Sequence, residues 1–586
     1  MKFNPISRIV IALVISYSAS NLSAQGPGWQ WARAAGSPTT EICGGNFSSS
    51  TNATDNAGNT YVTGSFKGSA TFGTVSISSP LYPNVFIAKY DVAGNCVWVK
   101  QFGGDDADTY GNQGMAVDVD QQGNCYVTGT FRGSPGNTIV LGTSTLTGSG
   151  NRQIFIAKYD VSGNALWALQ PSTTGSANNY ARSIAVDGSG NCYVTGIVAG
   201  TSNTFGSTAA LTGPGSFAVK CNASGTILWA TKLATGSSDP GCIAVDVNGA
   251  GFITGSMTGT VNFATTPATQ LITSGFQEVF VVKIDPAGSL TWAQKFSCTP
   301  AQNVIATPAA YSRGISIDGA GNAFLTGQFT TGMVIGSTTL TNSNAFGSEV
   351  LFVAKLDNNG NTLWALQSAN SNTTMAGSTR CRGTAIRAGL NGECFLTGYY
   401  EANSSLSFGG IPFVGNGSSM SYVAKISAAG TVAWAEFANG TGSSAMSSGI
   451  SLDSNGGIYI SGSVGITAVF GSYTINTVNN SRDVFVAKLN GTPPVATGLK
   501  EIQTRADASV YPNPFQSSVT FDLNGSSATG AAALSLYNVL GQEVMQLEIP
   551  DTRSIIVERG TLPPGIYTYR LYHDGKLLQT GKLIAN

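Results

Sequence analysis

The sequence predicts an all-β chain: a seven-bladed β-propeller of four-stranded blades, followed by a small Ig-like β-sandwich. Three observations carry this expectation. Four sequence markers recur seven times each between residues 29 and 490. Gly accounts for 74 of 586 residues and charged residues for only 10%, a composition suited to short strands and turns. The repeats stop at Lys488, and a different strand pattern runs from residue 510 onward.

The N-terminal element, residues 1–24, reads as a secretory signal. Lys2 and Arg8 supply positive charge, Ile9 to Ile15 form an unbroken apolar run, and Leu22-Ser23-Ala24 precedes Gln25. The run is far shorter than the roughly 20 residues a membrane span needs. The expectation is a mature chain outside the cytoplasm, with no membrane span once the signal is removed.

Residues 25–490 hold the repeats. An aromatic-β-[Thr/Ser]-Gly strand begins at Tyr61, Tyr126, Tyr193, Phe252, Phe324, Phe395 and Tyr459. A bulky residue before a small one follows: Phe72, Leu141, Phe205, Phe263, Ile335, Phe408 and Phe470. A strand ending in Lys comes next, at Lys89, Lys158, Lys220, Lys283, Lys355, Lys425 and Lys488. The last marker is a Trp strand: Trp31, Trp98, Trp167, Trp229, Trp292, Trp364 and Trp434. With a short apolar strand such as Ile184-Ala-Val186 in front, each repeat makes a four-stranded meander, A to D. Seven such meanders match the radial repetition of a propeller. Trp31 precedes the first A strand and no Trp follows Lys488, so Trp31 is expected to complete the last blade and protect its edge.

Two turns recur in each repeat. Asp55-x-x-Gly58-Asn59 and its copies precede the aromatic strands, and Asp91-x-x-Gly94 and its copies separate the Lys and Trp strands. Asp accepts hydrogen bonds from the turn backbone and Gly supplies positive φ. The sixth copy departs, with Gly389 in place of Asp, and the first has a polar A strand over Ser48 to Asp55. Each turn offers one carboxylate, too few for a calcium site; Asp118 and Asp120 are the nearest approach to one.

A formal net charge of −1 gives no basic field for nucleic acid. The single His, His573, lies near the C-terminus, so the repeats cannot build Ser-His-Asp or His-ligated zinc sites. No catalytic, metal or cofactor site is expected. The non-repeating candidates are Asp118 and Arg387, which stand in strand A where other copies carry Ala53, Ala185, Ala244, Ser316 and Ser451. Two readings stay open for them, functional groups or local packing variants. Of nine Cys, Cys192 at the start of a B strand and Cys221 at the end of the adjoining C strand are placed to form a disulfide. Cys125 and Cys394 share the Cys192 position but are expected to face Asp160 and Ser427.

The run Val117 to Gly129, together with Ile154 to Trp167, resembles the bacterial secreted β-propeller repeat family, abbreviated SBBP. The resemblance implies an extracellular propeller and no uniform activity. After a linker at 491–509, residues 510–586 resemble the type IX secretion C-terminal sorting domain of Bacteroidetes. The residues that carry it are Pro512, Asn513 and Pro514, then Gly541 in the central hairpin, then Leu562, Gly565 and Tyr567, and finally Lys582. That resemblance implies passage through the periplasm, the type IX secretion machinery as partner, and a secreted or outer-surface destination. The expected function is a non-catalytic binding or adhesion module for a polysaccharide or protein. A secreted carbohydrate-active enzyme and a structural surface component are the alternatives.

Overall fold

Each repeat alternates β-branched or aromatic residues with Thr, Ser and Gly, which favours pleated strands over helix. The computed structural model of the chain contains strands and turns, with no helix among the described residues. Those are residues 26–36, 50–104, 111–174, 178–246, 248–274, 276–299, 308–342, 348–370, 380–401, 406–414, 419–439, 444–477, 482–491, 509–522, 532–538, 542–549, 554–560, 562–573 and 576–586. The signal expected at 1–24, the linker apart from residues 491 and 509, and Gly541 lie outside them. The chain divides into two compact parts, Met1–Pro494 and Val495–Asn586.

In the first part every repeat forms one antiparallel four-stranded unit. Unit 2 shows the plan: Gln113–Val119 pairs with Cys125–Phe131, which pairs with Gln153–Tyr159, which pairs with Ala165–Leu169. The register puts Tyr126 opposite Lys158 and Lys158 opposite Trp167. The same three-residue row recurs in the other six units. The Lys ammonium lies 4.5–5.1 Å from the centre of the B-strand ring. The Trp meets that ring edge-on or tilted, at 6.0–6.2 Å. In unit 7 the row is Tyr459, Lys488 and Trp31, because Trp29–Gly36 is the fourth strand beside Arg482–Leu489.

The units are joined in sequence order by the indoles. Trp98 Nε1 donates to the Val161 carbonyl at 3.1 Å, and Trp31, Trp167, Trp229 and Trp364 make the matching bond to the next repeat's turn. The ring then lies on that turn's Gly. A Cβ on Gly163 would come within 2.9 Å of Trp98, and one on Gly94 within 2.7 Å of Trp31. These glycines also have φ of +80° and +81°, so the position excludes a side chain twice over.

The second marker is a latch between units. Its Gly, with φ of 56–62° at Gly73, Gly142, Gly206, Gly336, Gly409 and Gly471, turns a small hairpin between strands B and C. The buried residue before that Gly, or before Ala264 in unit 4, pairs with the D strand of the preceding unit: Phe263 with Ala234, Phe408 with Ser368, Phe470 with Ala438. Phe72 pairs with Ala35 in the same way, from unit 1 back to the N-terminal strand of unit 7.

The polar first A strand serves the same junction. Asn52 Nδ2 donates to Ser451 Oγ at 2.9 Å and to the Tyr459 carbonyl at 3.1 Å. Thr51 reaches Ser461, and Thr54 reaches Ser451. Buried polar side chains need such partners, so this departure from the repeat is complementary to unit 7. The departure in unit 6 is also repaired locally. Glu393 occupies the space left by Gly389, accepts the Asn391 amide at 2.9 Å and faces Lys425 at 3.8 Å. In units 2, 3, 5 and 7 the turn Asp makes the equivalent ion pair with Lys158, Lys220, Lys355 or Lys488.

The C-terminal part has two sheets. Ser509–Tyr511, Ser518–Asp522 and Ser554–Glu558 form one; Glu543–Ile549, Ala532–Tyr537, Gly565–His573 and Lys576–Ala585 form the other. Phe515, Phe521, Leu536, Val557, Tyr569 and Leu583 belong to its core.

Two stability predictions follow from the turns. Gly136 has φ of +86° with open space around it, so Gly136→Ala should cost about 1–2 kcal/mol from backbone strain alone. Gly163→Ala should cost roughly 1–3 kcal/mol more, because the methyl group meets Trp98. Equal losses in denaturant melts would refute the indole contact. In unit 6, Glu393→Ala should cost about 1–2 kcal/mol through the lost amide and Lys425 contacts. Gly389→Asp with Glu393→Asn rebuilds the turn of the other repeats and should restore parent stability, whereas Gly389→Asp alone should not.

Candidate functional site

Strands alternate side chains between their two faces, and in strand A one position faces a shared cavity. Asp118 in unit 2 and Arg387 in unit 6 fill the position held elsewhere by small residues. The structure brings them to one cavity of about 110 Å³, lined by A-strand residues of units 1 to 6, among them Ser50, Ala185, Cys242 and Ser316. Asp118 Oδ2 accepts the Val186 amide of unit 3 at 2.8 Å, and Oδ1 accepts the Val119 amide at 3.0 Å. Arg387 Nε donates to the Ile450 carbonyl of unit 7 at 3.2 Å. Ser316 and Ser451 use the same position to reach the next unit, through the Ala388 amide and Thr54. Each candidate is therefore an inter-unit tie with its charge beside the cavity. Burial pushes the Asp118 carboxyl above the usual carboxylate range, against the opposing pull of Arg387 and the two amides. Asp120 does not join it. Its carboxylate holds Asn124, Tyr126 and Lys158, so the two aspartates share no ligand space.

Three residues earlier in strand A lies a feature that repeat counting misses. The register against strand B slips at the same place in units 2 to 7, between Ala181 and Ser183 in unit 3 and between Ser312 and Gly314 in unit 5. A bulge of this kind re-aims the extra side chain. The extra residues include Arg182 and Arg313, each over the ring of the Tyr two positions before it, Tyr180 at 5.6 Å and Tyr311 at 5.5 Å. Arg182 grips Asp239 of unit 4 through Nε and Nη2 at 3.1 and 3.0 Å. In unit 6, Arg382 grips Glu349 in the same two-pronged manner and lies over Tyr399. The signal was present in the sequence, since Arg182 and Arg313 stand at one offset from the turn residues Asp187 and Asp318.

Cys192 and Cys221 are opposite one another across strands B and C, with Cα atoms 5.3 Å apart, and are joined as a disulfide. Cys125 faces Tyr159 and Cys394 faces Ile426, not Asp160 and Ser427. The C strand ends one residue before the turn, which shifts the opposing residue by one. Burial raises the Cys125 thiol to about 12, consistent with an inert core residue.

In the C-terminal part the residues of the sorting motif split between clasp and core. Asn513, between Pro512 and Pro514, donates to the Lys582 carbonyl at 2.7 Å and accepts the Ile584 amide at 2.9 Å. Leu562 and Tyr567 are buried in the core, and Tyr567 donates its hydroxyl to the Pro563 carbonyl at 2.7 Å. Gly565 opens the strand that carries Tyr567.

The Asp118 carboxyl gives a pH signature. Its folded pKa lies above the unfolded one, so the folded state holds the proton more tightly. Its favourable contribution is complete below the ordinary carboxylate range and is lost as pH rises through the folded value. Asp118→Asn removes this dependence. The variant should therefore gain melting temperature relative to the parent as pH rises above the ordinary carboxylate range. A difference that is flat with pH, or that reverses, would refute the buried carboxylate.

Residues 509–586 match the family model for the secretion system C-terminal sorting domain. A stretch of 214 residues is 30% identical to an uncharacterized WD repeat-containing protein, L264, of Acanthamoeba polyphaga mimivirus, covering 31% of this chain and 15% of that protein. Among solved structures, dimeric latent PorU from Porphyromonas gingivalis aligns at 9% identity over 69% of this chain and 32% of its own, with a TM-score of 0.12. A structural genomics protein of unknown function from Bacteroides thetaiotaomicron aligns at 11% identity over 58% of this chain and 92% of its own, with a TM-score of 0.16. The chain thus spans only a small share of the mimivirus relative and about a third of PorU. The sorting-domain match marks the chain for type IX secretion, with export to the cell surface or release from the cell.

Proposed function

We propose that the chain is an exported, non-catalytic binding module, a seven-bladed β-propeller closed by its own N-terminal strand and delivered by its C-terminal sorting domain. The observation that carries the propeller reading is the return of the last junction to the first. Trp29–Gly36 pairs with Arg482–Leu489 on one side and with Phe72 on the other, and Asn52 bonds to Ser451. Likeness to a WD repeat-containing protein is in keeping with radial repeats. Closure removes the exposed strand edges that invite aggregation, which suits a protein released outside the cell.

The binding reading rests on the A-strand cavity and its charged rim. Among the described residues lining the cavity, Asp118 is the one carboxylate, and its oxygens are taken by backbone amides. Glycoside hydrolysis by the two-carboxylate route needs a second such group across the bond to be cleaved. Polysaccharide and protein ligands both suit such a face.

The test is the purified full chain against a panel of polysaccharides and glycoproteins, with product analysis on the same samples. Saturable binding without new sugar ends is expected. New ends would make the chain a carbohydrate-active enzyme, and absence of binding throughout would leave a structural surface component.

A further inference from the structure

The strand D position two residues after the Trp is fixed by register in every unit, opposite the residue two before the Lys. It is occupied by Arg33, Lys100, Thr231 and Gln294 in units 7, 1, 3 and 4, by Leu169 and Leu366 in units 2 and 5, and by Glu436 in unit 6. Polar occupants serve as donors to the turn of the next unit. Arg33 Nη2 reaches the Ala93 carbonyl at 3.3 Å, Thr231 Oγ1 the Gly288 carbonyl at 2.9 Å, and Gln294 Nε2 the Gly360 carbonyl at 3.0 Å. Glu436 reverses the sign, because an ionised carboxylate only accepts.

The unit ahead of Glu436 is unit 7, where Gly28 and Asn490 meet in place of a turn. The chain arriving from the N-terminus covers Glu436 there. A Cβ on Gly26 would come within 2.5 Å of Glu436 Oε1, so the buried Gly26 backbone packs on the carboxylate. Among the described residues no cation reaches Glu436, and the Phe437 amide is the one group that favours its charge. Burial pushes its carboxyl above the ordinary value. A half-buried carboxylate in this state is best relieved by a cationic donor.

We propose that Glu436 receives the α-ammonium of Gln25 once residues 1–24 are removed, and that this ion pair closes the seam between units 6 and 7. Hydrolysis of the Ala24–Gln25 peptide bond consumes one water, leaving a carboxylate on Ala24 and an amine on Gln25 that takes up a proton near neutral pH. Gln25 lies just outside the described residues, but covalent geometry keeps its nitrogen within about 4 Å of the Gly26 nitrogen. Before cleavage that nitrogen is an uncharged amide. Elsewhere the donor stands on strand D and the acceptors on the next turn; at this seam the acceptor stands on strand D and the incoming chain brings the donor. The site rests on the signal reading of residues 1–24 and on no ligand.

The test uses the chain from Gln25 to Asn586, made behind a cleavable leader whose removal leaves Gln25 first. Removal should raise the melting temperature of the repeat part by about 1–3 °C. In Glu436→Leu, which puts at this position the residue that units 2 and 5 carry there, removal should leave melting unchanged. A leader cut one residue upstream, so that the chain begins at Ala24, moves the ammonium by about 3.8 Å and should also lose the gain. No gain in the parent, or an equal gain in Glu436→Leu or in the chain beginning at Ala24, overturns the ion pair. So does loss of ammonia from Gln25 in the intact mass, since the lactam it leaves carries no charge. N-terminal sequencing of the exported chain decides the signal reading separately: a start at any other residue overturns that reading and the site with it.

Discussion

The repeat part depends on one contact made over and over: an indole laid on the glycine of the next repeat's turn. The contact sets direction, because Trp31, Trp98, Trp167, Trp229 and Trp364 each reach forward to the following turn. It also sets distance, because the ring rests where a Cβ would be. Behind the indole, the aromatic of strand B and the aliphatic stem and ammonium of the Lys stack against one another, so that three strands of a unit share one rigid cluster. Cation–π and edge contacts of this kind contribute only about 0.5–2 kcal/mol apiece. Repeated in each of the seven units, they hold the strands of a unit together, and the indole then carries that cluster to its neighbour.

The last junction is where this rule is strained. Unit 7 is built from both ends of the repeat region, so the turn on which Trp434 would rest is replaced by the meeting of Gly28 and Asn490. Trp434 is buried, and its Nε1 has no hydrogen-bond partner among the described residues. The seam is compensated on its other side. The polar A strand of unit 1 bonds to unit 7, and Phe72 latches onto the N-terminal strand. The irregular residues of the first repeat thus answer to their contacts with unit 7.

Much of this was legible in the sequence, and what was not has a physical reason. The row of aromatic, Lys and Trp could be read because each residue type is needed at one register position in every unit. The fourth strand of unit 7 could be placed from the phase of Trp31 alone. The turn glycines were readable as sites of positive φ, but their second role was not, since only the fold brings Gly163 beneath Trp98. The latch was visible as a marker, Phe72-Gly73 and its copies, without a visible partner, because its partner lies in the preceding unit. The disulfide could be placed because Cys192 and Cys221 share one register row. The opposing residues of Cys125 and Cys394 were misplaced by one because a strand end was misplaced by one.

The candidate site was half legible, for a related reason. Asp118 and Arg387 stand out because they break a repeat, and repeat-breaking was the signal available. Their first duty in the fold is to tie neighbouring units together, as Ser316 and Ser451 do with uncharged groups. The bulge arginines stand out less, because a bulge is a property of pairing between two strands and leaves no fixed residue type behind. Its position is constant while its occupants vary through Met115, Arg182, Gly241, Arg313, Thr384 and Ser448. The backbone of the repeat is thus held fixed while one re-aimed side chain in each of units 2 to 7 varies. In a chain with so few charges, Arg182 and Arg313 stand at that variable position, each over a tyrosine, and Arg182 is braced by Asp239 of the next unit.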